Sequence, residues 1–573
     1  MVQLIANERV DDIPLLLNQM QKLNLSGLVD ESFKSHGNWK GLSLGKVVVG
    51  WLAYILSQGD HRLNQVEDWI DGLKETFKVG LDPEVRSLDF SDDHLETVLD
   101  QFSDDEQWDS FEGKLSRHTL RVYSLSSECI RLDTTTAYGH REVEAEGLFQ
   151  FGHSKDYRPD LPQVKISQAA LDPLGMPVST TVVSGNRGDD PLYIPEIEKV
   201  QASVQSAGLL YVVDSKMSAL ETRGYIAQSD NHYLCPLPAV QVSQVDLGEL
   251  LAPVWRGEES LLQVESPKIK GNEPASQEPS DPIPEVIAEG FDVTMTQSFG
   301  DGVEGFTWKE NWLVVHSFKQ SDRQRKSLDK RIEKATESIA DLNVTGRGRK
   351  RLSTDETVDA VDQILKRYKV GQLLQVDYET TTQTIKKRAY KDKPARTLTE
   401  TTVTVNTRLN PDAYQHALQL LGWRVYASND LNLTVPEAVY GYRNEYLIER
   451  CFGRYKGKLL GLTPIYLSTD ERVKGLIRLL SLGLRILCLL EFSVRCALEL
   501  DSQKLSGLYA GNPKRATVQP TAELLLRAFR GITLTIMEIN GVFQRFLSPL
   551  SELQQRILRL LGVSDDIYLA LTG

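Results

Sequence analysis

Three acidic residues spread along the chain, Asp133, Asp214 and Glu449, have the types and settings that metal-assisted phosphoryl transfer needs. Asp133 follows the apolar run of IRLDTTTAYG, and Asp214 follows that of GLLYVVDS. Both read as carboxylates at the ends of strands, and Glu449 sits in a segment with helical periodicity. Neighbouring strands end side by side at one sheet edge, and a helix packed there adds a third carboxylate. Three converging carboxylates bind hard divalent cations through oxygen. A pair of such ions activates a water and stabilises the leaving oxygen of an in-line displacement at phosphorus. Mg²⁺ is the expected ion, because it keeps waters and needs few carboxylates beside the substrate's phosphate oxygens; Mn²⁺ is the alternative. Taken singly, an Asp after a strand is more often a turn or cap residue, and a helical Glu more often a solvated one.

The elements that must position these acids follow from periodicity. ECIRLDTTTAYG, QVKISQAALDP and PVSTTVVSG read as three strands, the last two joined by the Pro/Gly turn LDPLGM. A helix fits residues 191–204, then a strand ends at Asp214, MSALETRGYIAQ suits a helix, and HYLCPLP is a fifth strand. A meander followed by strand–helix alternation predicts an α/β sheet with crossover helices. After Pro238 the rhythm stops. Residues 265–290 are rich in Pro, Ser and charge and read as a mobile linker. Strand-like pieces and a charged helix over residues 319–342 follow, giving an insertion of some 180 residues over 239–420. GWRVYASND is again a strand, and residues 434–459 read as one long helix with Pro436 near its start. The predicted organisation is a helical region 1–120, a core in two parts (121–238 and 421–500), and a helical C-terminal region 501–573.

The chain has 573 residues and five cysteines without a CxxC pair, which argues against zinc and against a disulfide framework and predicts a cytoplasmic setting. Residues 1–11 show neither a basic nor an apolar leader segment, so no signal peptide is expected. The most apolar stretch, 476–492, contains Arg478, Arg485 and Glu491 and is too short and too charged to span a bilayer. Net charge is −14, yet residues 323–334, 346–351 and 385–396 are basic. Local field governs binding, so the global sign does not exclude nucleic acid.

LDTTTAYGH, GHSKDYRPDLPQ, VVDSKMSA, GWRVYASND and YRNEYLIERCFGRYK together resemble the DDE transposases of bacterial insertion sequences. The subgroup is the IS four superfamily, with a Y-x2-R-x3-E-x6-K signature and a β insertion. Tyr442, Glu449 and Lys456 match the signature at its spacing; its Arg position holds Glu445, with Arg443 two residues away. Likeness runs from about residue 126 to 499. It implies a ribonuclease-H-like core interrupted by a β-rich insertion, with Asp133, Asp214 and Glu449 as catalytic metal ligands. It further implies phosphate contacts from Tyr442 and Lys456, and a flipped base stacked on Trp423. Lys155, Arg158, Lys216 and Arg443 are candidate contacts to DNA backbone, each with an ordinary surface role as its alternative. The implied activity is cut-and-paste transposition: cleavage at the element's ends, then 3′-OH strand transfer into target DNA. Terminal inverted repeats, target DNA and a second copy of the chain in the DNA complex are the implied partners. Two other classes stay open: a DNA-binding derivative without catalysis, and a glycosidase using two of the acids.

Overall fold

The structure is a computed structural model that describes residues 2–34, 39–266, 285–300, 305–344, 352–387 and 396–573. Basic run 346–351, residues 388–395 of the run 385–396 and residues 267–284 of the expected linker lie outside the described residues.

The chain begins with β1 (Val2–Arg9) and α1 (Ile13–Lys22). Next come α2 (Leu44–Gln58), capped by Ser43, then α3 (Asp92–Phe102) and α4 (Asp105–Tyr123), the latter capped by Asp104. Three strands follow, β2 (Cys129–Tyr138), β3 (Gln163–Leu171) and β4 (Met176–Ser184). α5 (Asp190–Val204), β5 (Leu210–Val213), α6 (Leu220–Gln228) and β6 (His232–Pro236) then alternate as the sequence predicts. Beyond α7 (Gln244–Trp255) lie β7 (Leu262–Glu265), β8 (Val286–Phe299) and β9 (Phe306–Ser317). α8 (Phe318–Ala340) and α9 (Thr354–Tyr368) pack beside a two-stranded ribbon of β10 (Leu374–Lys387) and β11 (Arg396–Leu409). α10 (Pro411–Leu420) leads into β12 (Trp423–Ser428).

One nine-stranded mixed sheet organises the molecule, in the order β4-β3-β2-β5-β6-β12-β9-β8-β7. β2, β5 and β6 are parallel to one another, and the other neighbours are antiparallel. β7, β8 and β9, from the stretch after Pro238, therefore extend the same sheet through β12, while β10 and β11 form a separate ribbon. The parallel ladder between β2 and β5 ends at Leu132 opposite Val213, so Asp133 and Asp214 are the next residues on adjacent strands.

Two expectations about the segments bearing the acids need correction. Asp133 does not end its strand: β2 runs on to Tyr138, paired with β3 alone, because short β5 stops at Val213. The helix expected over 434–459 is two helices, α11 (Val435–Arg443) and α12 (Tyr446–Lys456), so Glu449 lies in the first turn of α12 and not mid-helix. α11 starts on a capping box between Thr434 and Glu437. The break falls after Gly441, with Asn444 at the α11 C-cap; both residue types are poor helix formers. Tight turns bridge it, with the amide of Glu445 on the Tyr442 carbonyl (3.1 Å) and that of Leu447 on the Asn444 carbonyl (3.0 Å).

α13 (Asp470–Leu500) is buried along most of its length and is the axis of the largest core. Its Leu476, Leu480 and Leu487 share one hydrophobic cluster with Leu52 of α2, Leu99 of α3, Phe111 of α4 and Val178 of β4. Arg478 and Arg485 are buried in that helix and donate to α3 and α4, at the Phe102 carbonyl (2.8 Å) and Glu112 (2.9 Å). No helix among the described residues is long and apolar enough to cross a membrane. The C-terminal region is not wholly helical. β13 (Thr533–Ile539) and β14 (Val542–Leu547) form a hairpin, and β1 pairs with β13. Its turn is Asn540–Gly541, both with positive φ (52° and 82°), the backbone of the tight hairpin turn that Asn-Gly favours. Alternating β-branched residues beside Asn-Gly outweigh the apparent helical periodicity there.

Candidate active site

The edge where β2 and β5 diverge holds a cluster of carboxylates and lysines. Asp214 caps a one-turn helix over Ser215–Ser218, accepting from the Lys216 amide at 2.9 Å and from the Tyr193 hydroxyl at 3.2 Å. Asp133 accepts from the Thr134 amide at 2.7 Å and pairs with the Lys155 ammonium at 3.1 Å. Burial pushes the Asp133 carboxyl up and the nearby Asp214 charge adds to this, against the pull of Lys155. Tyr193, buried behind the pair, is pushed well above the usual phenol range by burial and by both aspartates.

Glu445 and Glu449 approach from the α11–α12 break. Both line, with Asp214, Trp423, Arg424 and Tyr442, a cavity of about 1990 Å³ that Arg331, Lys366 and Lys369 also line. Burial pushes the Glu445 carboxyl up to about 6; its bond with the Tyr442 hydroxyl opposes this, and the charges of Asp133, Asp214 and Glu449 reinforce it. Glu445 is thus the side chain on which all three expected metal ligands act. Glu449 itself is exposed. The donor chemistry fits a hard divalent cation: Asp133 and the carbonyl and hydroxyl of Thr134 already surround a cation, the Lys155 ammonium. As placed, no three His, Cys, Asp or Glu residues among those described stand close enough to ligate one ion.

Lys456, at the end of α12, reaches back to the same edge. Its ammonium binds Thr135 Oγ1 at 2.7 Å and Asp156 Oδ1 at 2.5 Å, and burial pulls its pKa down. Tyr442 packs on Tyr426 at 5.0 Å between ring centroids, with the Arg424 guanidinium 5.8 Å from its own ring. Trp423 is half-buried at the start of β12; His316 stacks on it at 4.8 Å and Phe291 meets it edge-on. The remaining expected contacts are placed less centrally. Lys216 turns its ammonium to Asp189, Arg158 pairs with Asp160 (2.8 Å), and Arg443 is exposed on the last turn of α11.

No family model matches the chain, and none of the curated proteins matches it. Among solved structures, the chain is similar to a piggyBac transposase synaptic complex with hairpin DNA, determined by cryo-electron microscopy. Identity is 7%, the TM-score is 0.34, and the alignment covers 98% of this chain and 83% of that one. A likeness at that score does not establish a shared fold.

Sequence reasoning missed four site residues. Asp189, at the start of α5, binds Lys165 (2.6 Å) and Lys216; although burial works against its charge, the two lysines hold it well below the usual carboxylate range. No local pattern marks it. Asp156 lies inside GHSKDYRPDLPQ, among basic residues that suit DNA backbone better than a carboxylate does. Glu445 was visible only as a departure from the signature. Arg424 follows Trp423 directly, and only the cavity shows that it belongs.

Proposed function

We propose that the chain is a DDE transposase of the insertion-sequence type, with a ribonuclease-H-like core formed by β2–β6 and α12. One observation carries this reading. Asp133 and Asp214 follow the last paired residues of parallel neighbours β2 and β5, and α12 with the preceding break brings Glu449 and Glu445 toward the same edge. The chain order of the acids and the adjacency of β2 and β5 support this reading, in which β7–β11 are the β insertion.

In this reading Asp133, Asp214 and Glu449 hold Mg²⁺, with Glu445 beside them. When bound, the metal supplies an activated water for hydrolysis and charge stabilisation at the leaving oxygen. Lys456 and Tyr442 anchor phosphates next to the scissile bond. One DNA strand lies in the cavity between the carboxylates and the basic residues Arg331, Lys366 and Lys369, and Arg424 neutralises backbone near Tyr442. The open face of Trp423, backed by His316, offers a base a stacking surface. Ends would be cut and then joined to target DNA by the freed 3′-OH in a dimeric complex, in the cytoplasm at the nucleoid.

Cleavage of linear DNA carrying the element's ends, with Mg²⁺ or with EDTA, tests this. Nicking at the ends that requires Mg²⁺ and is lost in Asp133→Ala, Asp214→Ala and Glu449→Ala, with DNA binding retained, is the expected result. DNA binding by the wild type without any cleavage would replace the reading with a catalytically silent DNA-binding protein.

A further inference from the structure

Loop 152–162 places two oppositely charged neighbours, Lys155 and Asp156, on two different groups of the site. The Lys155 ammonium lies 3.1 Å from Asp133 Oδ1 and 2.9 Å from Thr134 Oγ1, and also binds the Thr134 carbonyl. Its backbone amide is fixed to Thr136 Oγ1 at 3.0 Å, so the side chain emerges directly over β2. Asp156 Oδ1 lies 2.5 Å from the Lys456 ammonium. Its other oxygen, Oδ2, is buried with no hydrogen-bond donor among the described residues. Leaving a carboxylate oxygen buried and unmatched is costly, so Asp156 is only half satisfied in this contact. The next residue, Tyr157, is 93% exposed and held at φ 56°, a left-handed conformation that L-residues adopt at a cost. A strained turn thus presses a cation onto an expected metal ligand and an anion onto an expected phosphate anchor.

We propose that Lys155 and Asp156 are built-in substitutes for the charges of the reaction. Lys155 occupies Asp133 in place of the divalent cation, Asp156 occupies Lys456 in place of a DNA phosphate, and both must leave before the site can be loaded. The inference rests on the transposase reading. Because the residues are adjacent, displacing one from its partner shifts the other. A phosphate arriving at Lys456 releases Asp156, carries Lys155 off Asp133 and raises the affinity for the cation. By linkage the cation raises the affinity for DNA by the same factor. The device keeps a phosphodiester-cleaving site unloaded until DNA is in place.

Mn²⁺ binding to the full-length protein, followed by the electron paramagnetic resonance signal of free Mn²⁺, tests the exchange with and without a random-sequence blunt duplex. Wild type is expected to bind Mn²⁺ weakly alone and at least tenfold more tightly with duplex, and Asp214→Asn to lose that site. Lys155→Met should bind Mn²⁺ about tenfold more tightly than wild type without DNA and gain little from added duplex. A lysine with a merely structural role would leave affinity unchanged or lower it. Asp156→Asn supplies an independent arm: its duplex affinity in EDTA should rise several-fold as Lys456 is freed. Mn²⁺ binding that depends on Asp214 but is indifferent to Lys155→Met in a folded protein overturns the exchange alone. Should Lys155→Met not fold, unchanged duplex affinity in Asp156→Asn overturns it equally. If wild type binds no Mn²⁺ at the Asp214 site with or without duplex, the transposase reading falls and the exchange falls with it.

Discussion

At the scale of single residues, Glu445 separates this chain from the signature it otherwise follows. In place of the Arg of that signature, a Glu adds a fourth carboxylate beside Asp133, Asp214 and Glu449. Its charge favours any cation held at that edge and disfavours a phosphate close to it. On the proposed reading, Glu445→Gln should weaken Mn²⁺ binding on the order of tenfold, the size expected for one nearby charge at the effective dielectric of a partly solvated cleft. Calorimetric titration of the variant against wild type measures it, and unchanged affinity would place Glu445 outside the metal's reach. The same residue shows how far reading of the sequence went. The family resemblance marked Tyr442, Glu449 and Lys456, but a departure from a pattern carries no information about which neighbours it meets. Asp156 and Asp189 were equally silent, because a carboxylate in a loop looks the same whether it faces water or a buried lysine.

At the scale of elements, α13 is tied to α4 and β4 by one buried ion pair. Glu112 of α4 accepts from Arg485 (2.9 Å), from the Thr180 amide of β4 (3.0 Å) and from the Trp108 indole (3.2 Å). Arg485 also donates to Ser116 at 3.0 Å. Removing one partner of a buried pair leaves the other charged and desolvated, a loss of about 3–5 kcal/mol. Glu112→Ala is therefore expected to lower unfolding free energy by about that amount in denaturant melts, far more than removal of the exposed Arg256–Glu258 pair, where both side chains are 58% exposed. Helices and strands were largely legible from periodicity: the order β2 to β6 and its crossovers follow the apolar pattern. Where the reading failed, a competing local signal won. Asn540–Gly541 made a hairpin out of an amphipathic stretch, and Gly441 and Asn444 broke a helix that the apolar period alone would continue.

At the scale of the whole molecule, both ends of the described chain meet. β1 lies on β13, and Tyr568 donates to the Asp11 carbonyl at 2.9 Å. Next to this junction Asp12 is buried, accepting from Ser57 at 2.6 Å, and burial pushes its carboxyl up to about 6. The native state therefore binds this proton more tightly than the unfolded chain, whose Asp titrates near 3.8. Between these values stability falls as pH rises, and above both the accumulated loss is about 3 kcal/mol. Asp12→Asn keeps an acceptor for Ser57 and carries no charge. Its melting temperature should exceed that of wild type at pH 7.5, with the gap closing as pH falls through 6 toward 4. A gap that does not depend on pH would show that Asp12 is not the titrating group.

The sequence by itself determined the alternation of elements, the strand carrying Asp133, the strand end before Asp214 and the helical segment bearing Glu449, because these rest on local periodicity and chain order. Only the tertiary structure decided which charges face one another. Lys155 on Asp133, Asp156 on Lys456 and Glu445 beside Asp133 and Asp214 are contacts across 22, 300 and more than 200 residues of chain. Partners at such separations are set by how the sheet orders its strands and where the α11–α12 break turns, and no local pattern records them.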